Sequence, residues 1–124
     1  MGKAIAVDFD GVIHSYTSEW TSATEIPDPP VEGAIEWLRD MMRLFEVNIF
    51  TMRTMGTPEK VTEGRIAIKR WLIKYGMNSH EVDSLKFPQQ KPKVGLYIDD
   101  RAFCFKGEFP SAREVLDFKP WNKK

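Results

Sequence analysis

Four carboxylates stand out by where they fall. Asp8 and Asp10 follow the apolar run Ala4, Ile5, Ala6, Val7, and Asp99 and Asp100 follow Val94, Gly95, Leu96, Tyr97, Ile98. A short, continuous apolar run bounded by a turn signal suits a strand buried on both faces. Asp8 and Asp10 are two apart, so on an extended backbone their side chains leave the same face. Like charges at the end of a buried strand are costly unless a metal ion, or an anionic substrate with its own cation, offsets them. Gly11 allows a sharp turn or the close approach of a ligand. Taken alone, Asp8 and Asp10 could end a strand at water; the second acidic pair argues for chemistry. In an open parallel sheet, ligands bind outside the carboxyl ends of the strands. Four carboxylates converging there with open positions make a hard-cation site, and oxygen ligands select magnesium over zinc.

The chemistry follows if Asp8, Asp10, Thr51, a lysine and Asp99 or Asp100 meet at the top of the sheet. A carboxylate beside a divalent cation is a competent nucleophile toward phosphorus. A carboxylate two residues on can protonate the leaving alkoxide and then activate water. A lysine ammonium and a threonine hydroxyl would stabilise charge on the equatorial oxygens. Thr51, Met52 and Arg53 follow an apolar run, and a hydroxyl with a guanidinium suits an anion site. Arg53 and Arg101 are expected substrate contacts, with ion pairs to nearby carboxylates as the alternative.

The elements that must position these residues alternate. Residues 14–30, rich in Ser, Thr and Pro, read as a loop with room for a short hairpin near 13–20. Val31, Ala34, Ile35, Leu38, Met41, Met42 and Phe45 form one apolar stripe, predicting a helix over 31–44 with the methionines as core filler. Residues 45–50 read as a second strand. Thr57 as N-cap and Pro58 at the first position open a helix over 58–75, weakened at Gly64 and closed by Gly76. Its basic residues read as a solvated face. Residues 82–87 are expected to form a short third strand, 94–98 a fourth, and 103–109 a small hairpin with Cys104 packed. Ser111 and Glu114 form a capping-box pattern that opens a last short helix, and Trp121 is placed to pin the tail. The alternation predicts an α/β domain with a mainly parallel sheet covered on both faces.

A chain of 124 residues with 42% hydrophobic content fits one domain with its own core. Lysine plus arginine balance aspartate plus glutamate at 18 each, so net charge does not indicate nucleic acid or a membrane surface, although a local basic patch could still serve a nucleic-acid substrate. A single cysteine excludes an internal disulfide, and with no membrane-length apolar run and no signal pattern a cytoplasmic protein is expected. Nothing in the sequence sets an oligomeric state.

The four motifs in order resemble the haloacid dehalogenase-like (HAD) hydrolase superfamily: Asp8-Phe9-Asp10-Gly11-Val12, then Thr51 after an apolar strand, then Lys91 or Lys93, then Asp99-Asp100. The resemblance spans nearly the whole chain. His14-Ser15, Tyr97-Ile98-Asp99-Asp100-Arg101-Ala102 and the tail Phe118-Lys119-Pro120-Trp121-Asn122 look closer still to small HAD-type proteins carried by bacteriophages and bacteria. The resemblance implies a Rossmann-like three-layer sandwich, magnesium dependence, Asp8 as nucleophile, Asp10 as acid and base, and Thr51 as a phosphoryl contact. It also implies a metal held by Asp8, the Asp10 carbonyl and Asp99 or Asp100. Lys91 fits the third motif because Lys91-Pro92 matches the family loop, and Lys93 competes with it. Dehalogenases of this family lack the second carboxylate, so Asp10 points to phosphoryl transfer. The 14–30 insert is the size of a flap, which implies a capless member open to a large phosphorylated substrate: a nucleotide, a nucleic-acid end, a phosphoprotein or another phosphomonoester. Competing readings are a nucleotide-sugar transferase, which leaves Asp99 and Asp100 unexplained, a phosphoryl receiver, which has the acidic pair and phosphorylated carboxylate in the reverse order, and an idle scaffold serving as a binding module.

Overall fold

A computed structural model describes residues 3–123. Its centre is β1 (Ala4–Val7), which pairs in parallel with β2 (Glu46–Ile49) on one side and β3 (Leu96–Ile98) on the other. Three consecutive residues of β1, Ile5, Ala6 and Val7, are buried, as are Val47, Asn48 and Ile49 of β2. Successive strand residues point to opposite faces, so both faces are covered over β1 and β2. They are not covered over β3, where the consecutive residues Leu96 and Tyr97 are 59% and 39% exposed. The fold is therefore mixed α/β on a small, open, three-stranded parallel sheet.

Between β1 and β2 lies α1 (Ala34–Leu44), whose Ala34 and Leu38 enter the core. It opens three residues later than the apolar stripe predicts, because the Val31 N–H bonds the Ile13 carbonyl at 2.8 Å and Gly33 takes the cap position. Met41 and Met42 pack against the core, as expected of filler. After β2 a 3₁₀ turn (Met52–Thr54) leads to α2 (Pro58–Lys74), capped by Thr57. Gly64 weakens α2 by its propensity, yet a packing reason holds it there. A Cβ at that position would lie 1.8 Å from the Arg53 carbonyl oxygen, so only glycine lets α2 lie against the 3₁₀ turn.

The expected strand at 82–87 is instead the helix α3 (Ser79–Asp83) followed by one bridge from Lys86 to Asn48. Asn78 and Glu81 close a capping box that nucleates the helix locally, and Glu81 also accepts from Arg39 of α1 at 2.7 Å. The hairpin expected at 103–109 is a bend without strand pairing, held by the rings of Phe105 and Phe109 at 4.8 Å, and Cys104 is exposed rather than packed. The hairpin expected near 13–20 is also not formed, and His14 makes only isolated bridges to Asp10 and Pro30. The capping box of Ser111 and Glu114 opens α4 (Ala112–Leu116) as read from the sequence. The tail is pinned: the Trp121 indole N–H donates to the Gly11 carbonyl at 2.7 Å. Among the described residues no helix is long and apolar enough to cross a membrane.

Candidate functional site: an acidic cleft at the carboxyl ends of the strands

The register places the site. Val7 lies opposite both Ile49 and Ile98, so the three parallel strands end level with one another. The residues just beyond are Asp8, Thr51 and the pair Asp99-Asp100. The Asp8 N–H donates to the Ile98 carbonyl at 2.9 Å, and the Phe50 N–H to the Val7 carbonyl at 3.0 Å, which extends the pairing to the rim. Asp8, Asp99 and Asp100 each bring a carboxylate oxygen to within 4.8 Å of the others.

Both Asp100 oxygens are buried and accept no hydrogen bond from a protein donor among the described residues. Asp8 can bond Asp100 by holding a proton. Burial, then the Asp100 side chain, then the charges of Asp99 and Asp100 push the Asp8 carboxyl up to about 8, against the opposing Phe9 N–H. A buried carboxylate without a donor is expensive, and the like charges of Asp8 and the exposed Asp99 beside it add to the cost, although these two accept the N–H groups of Phe9 and Arg101. Such a set could hold one hard divalent cation, which would serve all three at once. Gly11 makes the approach possible: its φ is +87° and a Cβ there would stand 2.1 Å from Asp100 Oδ2.

Asp10 departs from the same-face expectation. The strand stops at Val7, and the N–H groups of Val12, Ile13 and His14 all turn back to the Phe9 carbonyl. That turn carries the Asp10 carboxylate out of the cluster and onto Arg53 Nε, at 2.9 and 3.0 Å, and His14 Nδ1, at 2.8 Å. The Asp28 N–H donates to His14 Nε2 at 3.1 Å, which fixes the ring proton on Nδ1, where it is donated to Asp10. Arg53 is 1% exposed and donates through Nη1 to the carbonyls of Ser22, Ala23 and Glu25. Of the two roles read for Arg53, the structure gives it the ion pair: it holds Asp10 and ties down the 14–30 loop.

A cleft of about 520 Å³ is lined by Asp8, Asp10, Thr51, Met52 and Arg101, with Tyr16 and Trp20 from the loop. Thr51 is buried and caps the 3₁₀ turn, its hydroxyl accepting the Arg53 N–H at 3.2 Å. The lysines do not join this cleft. Lys93 lines a groove with Lys3, Ala4 and Leu96 at the opposite, amino ends of β1 and β3. Lys91 lies with its ammonium 4.9 Å from the Tyr97 ring centre. The reason is topological: both residues precede β3 and enter from its far end.

Sequence reasoning gave no site role to His14, Tyr16, Trp20 or Asp28. All sit in a loop without periodicity, and the only local signal is the four-residue spacing of His14 from Asp10. Asp28 organises that loop. Burial raises its pKa, but this is outweighed by the Ser18 N–H and hydroxyl, which donate at 2.8 and 2.7 Å and leave it below the usual range. The Trp71 indole N–H of α2 donates to the Asp28 carbonyl at 3.1 Å.

No protein-family model, curated protein or solved structure matches this chain.

Proposed function

We propose that this chain is a magnesium-dependent phosphohydrolase of the HAD type, acting on a phosphomonoester through an aspartyl-phosphate on Asp8. One observation carries the reading: three carboxylates share a 4.8 Å cluster at the ends of two parallel strands, with the Asp100 oxygens buried and lacking a donor. Asp8, Asp99 and Asp100 would hold the cation, and when bound it would neutralise the repulsion between carboxylate and phosphate.

In the proposed reaction an Asp8 oxygen attacks phosphorus as the bond from phosphorus to the ester oxygen breaks, and Asp10, in its protonated form, gives that oxygen the proton it regains from water in the next step. Water then attacks the phosphorus of the aspartyl-phosphate, Asp10 takes its proton, the bond from phosphorus to the Asp8 oxygen breaks, and inorganic phosphate leaves the regenerated Asp8 carboxylate. Arg53 and His14 orient Asp10 for both steps. Thr51 and Arg101 line the cleft where the phosphate oxygens would lie. No domain interrupts the loop after β1, consistent with a capless enzyme open to a large substrate.

A second reading, an idle scaffold that binds a phosphorylated ligand, is favoured by one observation: neither Lys91 nor Lys93 lines the cleft. Phosphate release separates the two. With an activated aryl phosphate and magnesium, the wild type should release phosphate, chelator should stop it, and Asp8→Asn should abolish it. Asp10→Asn should slow it by about 10²–10⁴-fold. No release by folded protein that still binds magnesium would leave the scaffold reading.

A further inference from the structure

The cleft has a second end, and it is aromatic. Trp20 stacks on the Arg53 guanidinium, whose central carbon lies 4.5 Å from the ring centre. That guanidinium is buried and bonded to Asp10 and three loop carbonyls, so one face of the indole rests on a fixed cation. Trp20 is nevertheless 45% exposed and lines the cleft. It is a rigid plate with a face left over.

Tyr16 stands on the same wall in a backbone conformation that tyrosine seldom adopts, with φ at 55°. Strain of this kind persists only where the surroundings over-determine it, and here they do. The Tyr16 ring tilts against His14 at 5.9 Å, Lys123 Nζ lies 4.4 Å from its centre, and the Asn122 amide donates to its carbonyl at 3.2 Å. Met52, exposed next to Thr51, completes a soft, polarisable rim. A site for a bare sugar phosphate would be expected to present several hydroxyl-binding polar groups. This wall presents two aromatic side chains and a thioether.

We infer that the phosphomonoester taken by this cleft carries a nucleobase, stacked on Trp20 beside Tyr16 and Met52 while its phosphate faces Asp8, Thr51 and Arg101. The inference rests on the phosphohydrolase reading for its phosphate end only. The shared chemistry is a base joined through a sugar to a terminal phosphate, in a free nucleotide or at the end of a single strand. Base–aromatic stacking corresponds to about 5- to 150-fold in affinity, and it tolerates any base because each has a π face.

The test compares kcat/KM for a nucleoside 5′-monophosphate, ribose 5-phosphate, phenyl phosphate and a 5′-phosphorylated oligonucleotide, with magnesium, on the wild type, Trp20→Ala and Trp20→Phe. The wild type should prefer the nucleotide over ribose 5-phosphate by about 5- to 150-fold, chiefly through KM. Trp20→Ala should collapse that preference toward unity and Trp20→Phe should restore most of it. Mononucleotide against oligonucleotide then tells the two sources apart. Turnover without preference, a preference that survives Trp20→Ala, an equal loss on nucleotide and ribose 5-phosphate, or a preference for phenyl phosphate over the nucleotide would overturn the inference and leave the phosphohydrolase reading standing. Equilibrium dialysis of the nucleoside monophosphate covers the other branch. Trp20-dependent binding without turnover would sink the phosphohydrolase reading and keep the stacking site, and neither binding nor turnover would sink both.

Discussion

Asp8 is where folding and chemistry pull apart. Burial, then Asp100 and Asp99, raise its pKa from 3.8 to about 8. Because the folded-state value lies above the unfolded one, the contribution of this proton to stability is full below about pH 4 and is lost as pH rises toward 8. In chelator at pH 7.5, Asp8→Asn should therefore unfold at a higher urea midpoint than the wild type, by on the order of 1–4 kcal/mol. The gain should vanish near pH 4, where the Asp8 of the unfolded chain holds its proton as well and folding takes up little. A variant no more stable than the wild type at pH 7.5 would mean that the three carboxylates do not strain the fold. Arg53 works in the opposite sense. Its side chain is enclosed and bonded to Asp10, so Arg53→Ala would strand that carboxylate and release the loop. A loss of about 3–5 kcal/mol in urea unfolding is expected.

Among the elements, α2 is the one whose position the site depends on most directly. It packs on the 3₁₀ turn that carries Arg53, and Gly64 is the point of closest approach. Two effects compete in Gly64→Ala. Helix propensity favours alanine by about 1 kcal/mol. Against that, a Cβ 1.8 Å from the Arg53 carbonyl must push helix and turn apart, and the atom it meets is backbone that cannot swing aside. Overpacking of this kind typically costs about 1–3 kcal/mol. Net destabilisation in urea unfolding is expected, together with slower phosphate release because Arg53 would shift off Asp10. A stabilised variant would show that the contact relaxes freely.

The molecule as a whole is unevenly packed. It exposes 8397 Å² of surface, where about 6,800 Å² is expected of a folded monomer of 14.4 kDa. Residues 101–119 account for much of the excess: nearly all are exposed, including Phe103, Phe105, Phe109, Leu116 and Phe118. The chain returns to the body at the buried Pro120 and at Trp121 and Asn122, whose side chains donate to the carbonyls of Gly11 and Ser15 beside the cleft. Few buried contacts mean low local stability. Brief trypsin treatment should cut first after Lys106 or Arg113, before any site in α1 or α2. Early cutting within α2 would overturn that ordering.

Local structure carried by short-range pattern was legible from the chain alone. Apolar runs ending in Asp8 and in Asp99-Asp100, the cap and proline at Thr57 and Pro58, and the Ser111–Glu114 capping box all depend on neighbours a few residues away. So did the parallel arrangement of β1, β2 and β3, because alternation with helices constrains it. Residues 82–87 misled because a short apolar run suits a strand or a helix equally, and the capping box at Asn78 decided for a helix just upstream. Contacts between different elements, with partners 11 to 43 residues apart, were decided only by the tertiary structure. Arg53 reaches Asp10 and the 22–25 carbonyls, Gly64 meets the Arg53 backbone, and Trp20 comes to rest on a guanidinium 33 residues further along the chain. The lysines of residues 91–93 enter β3 from the end away from the carboxylates, which spacing along the chain could not reveal. Sequence patterns report the period and termini of single elements, whereas the direction from which a loop enters a sheet is fixed only when the sheet is assembled.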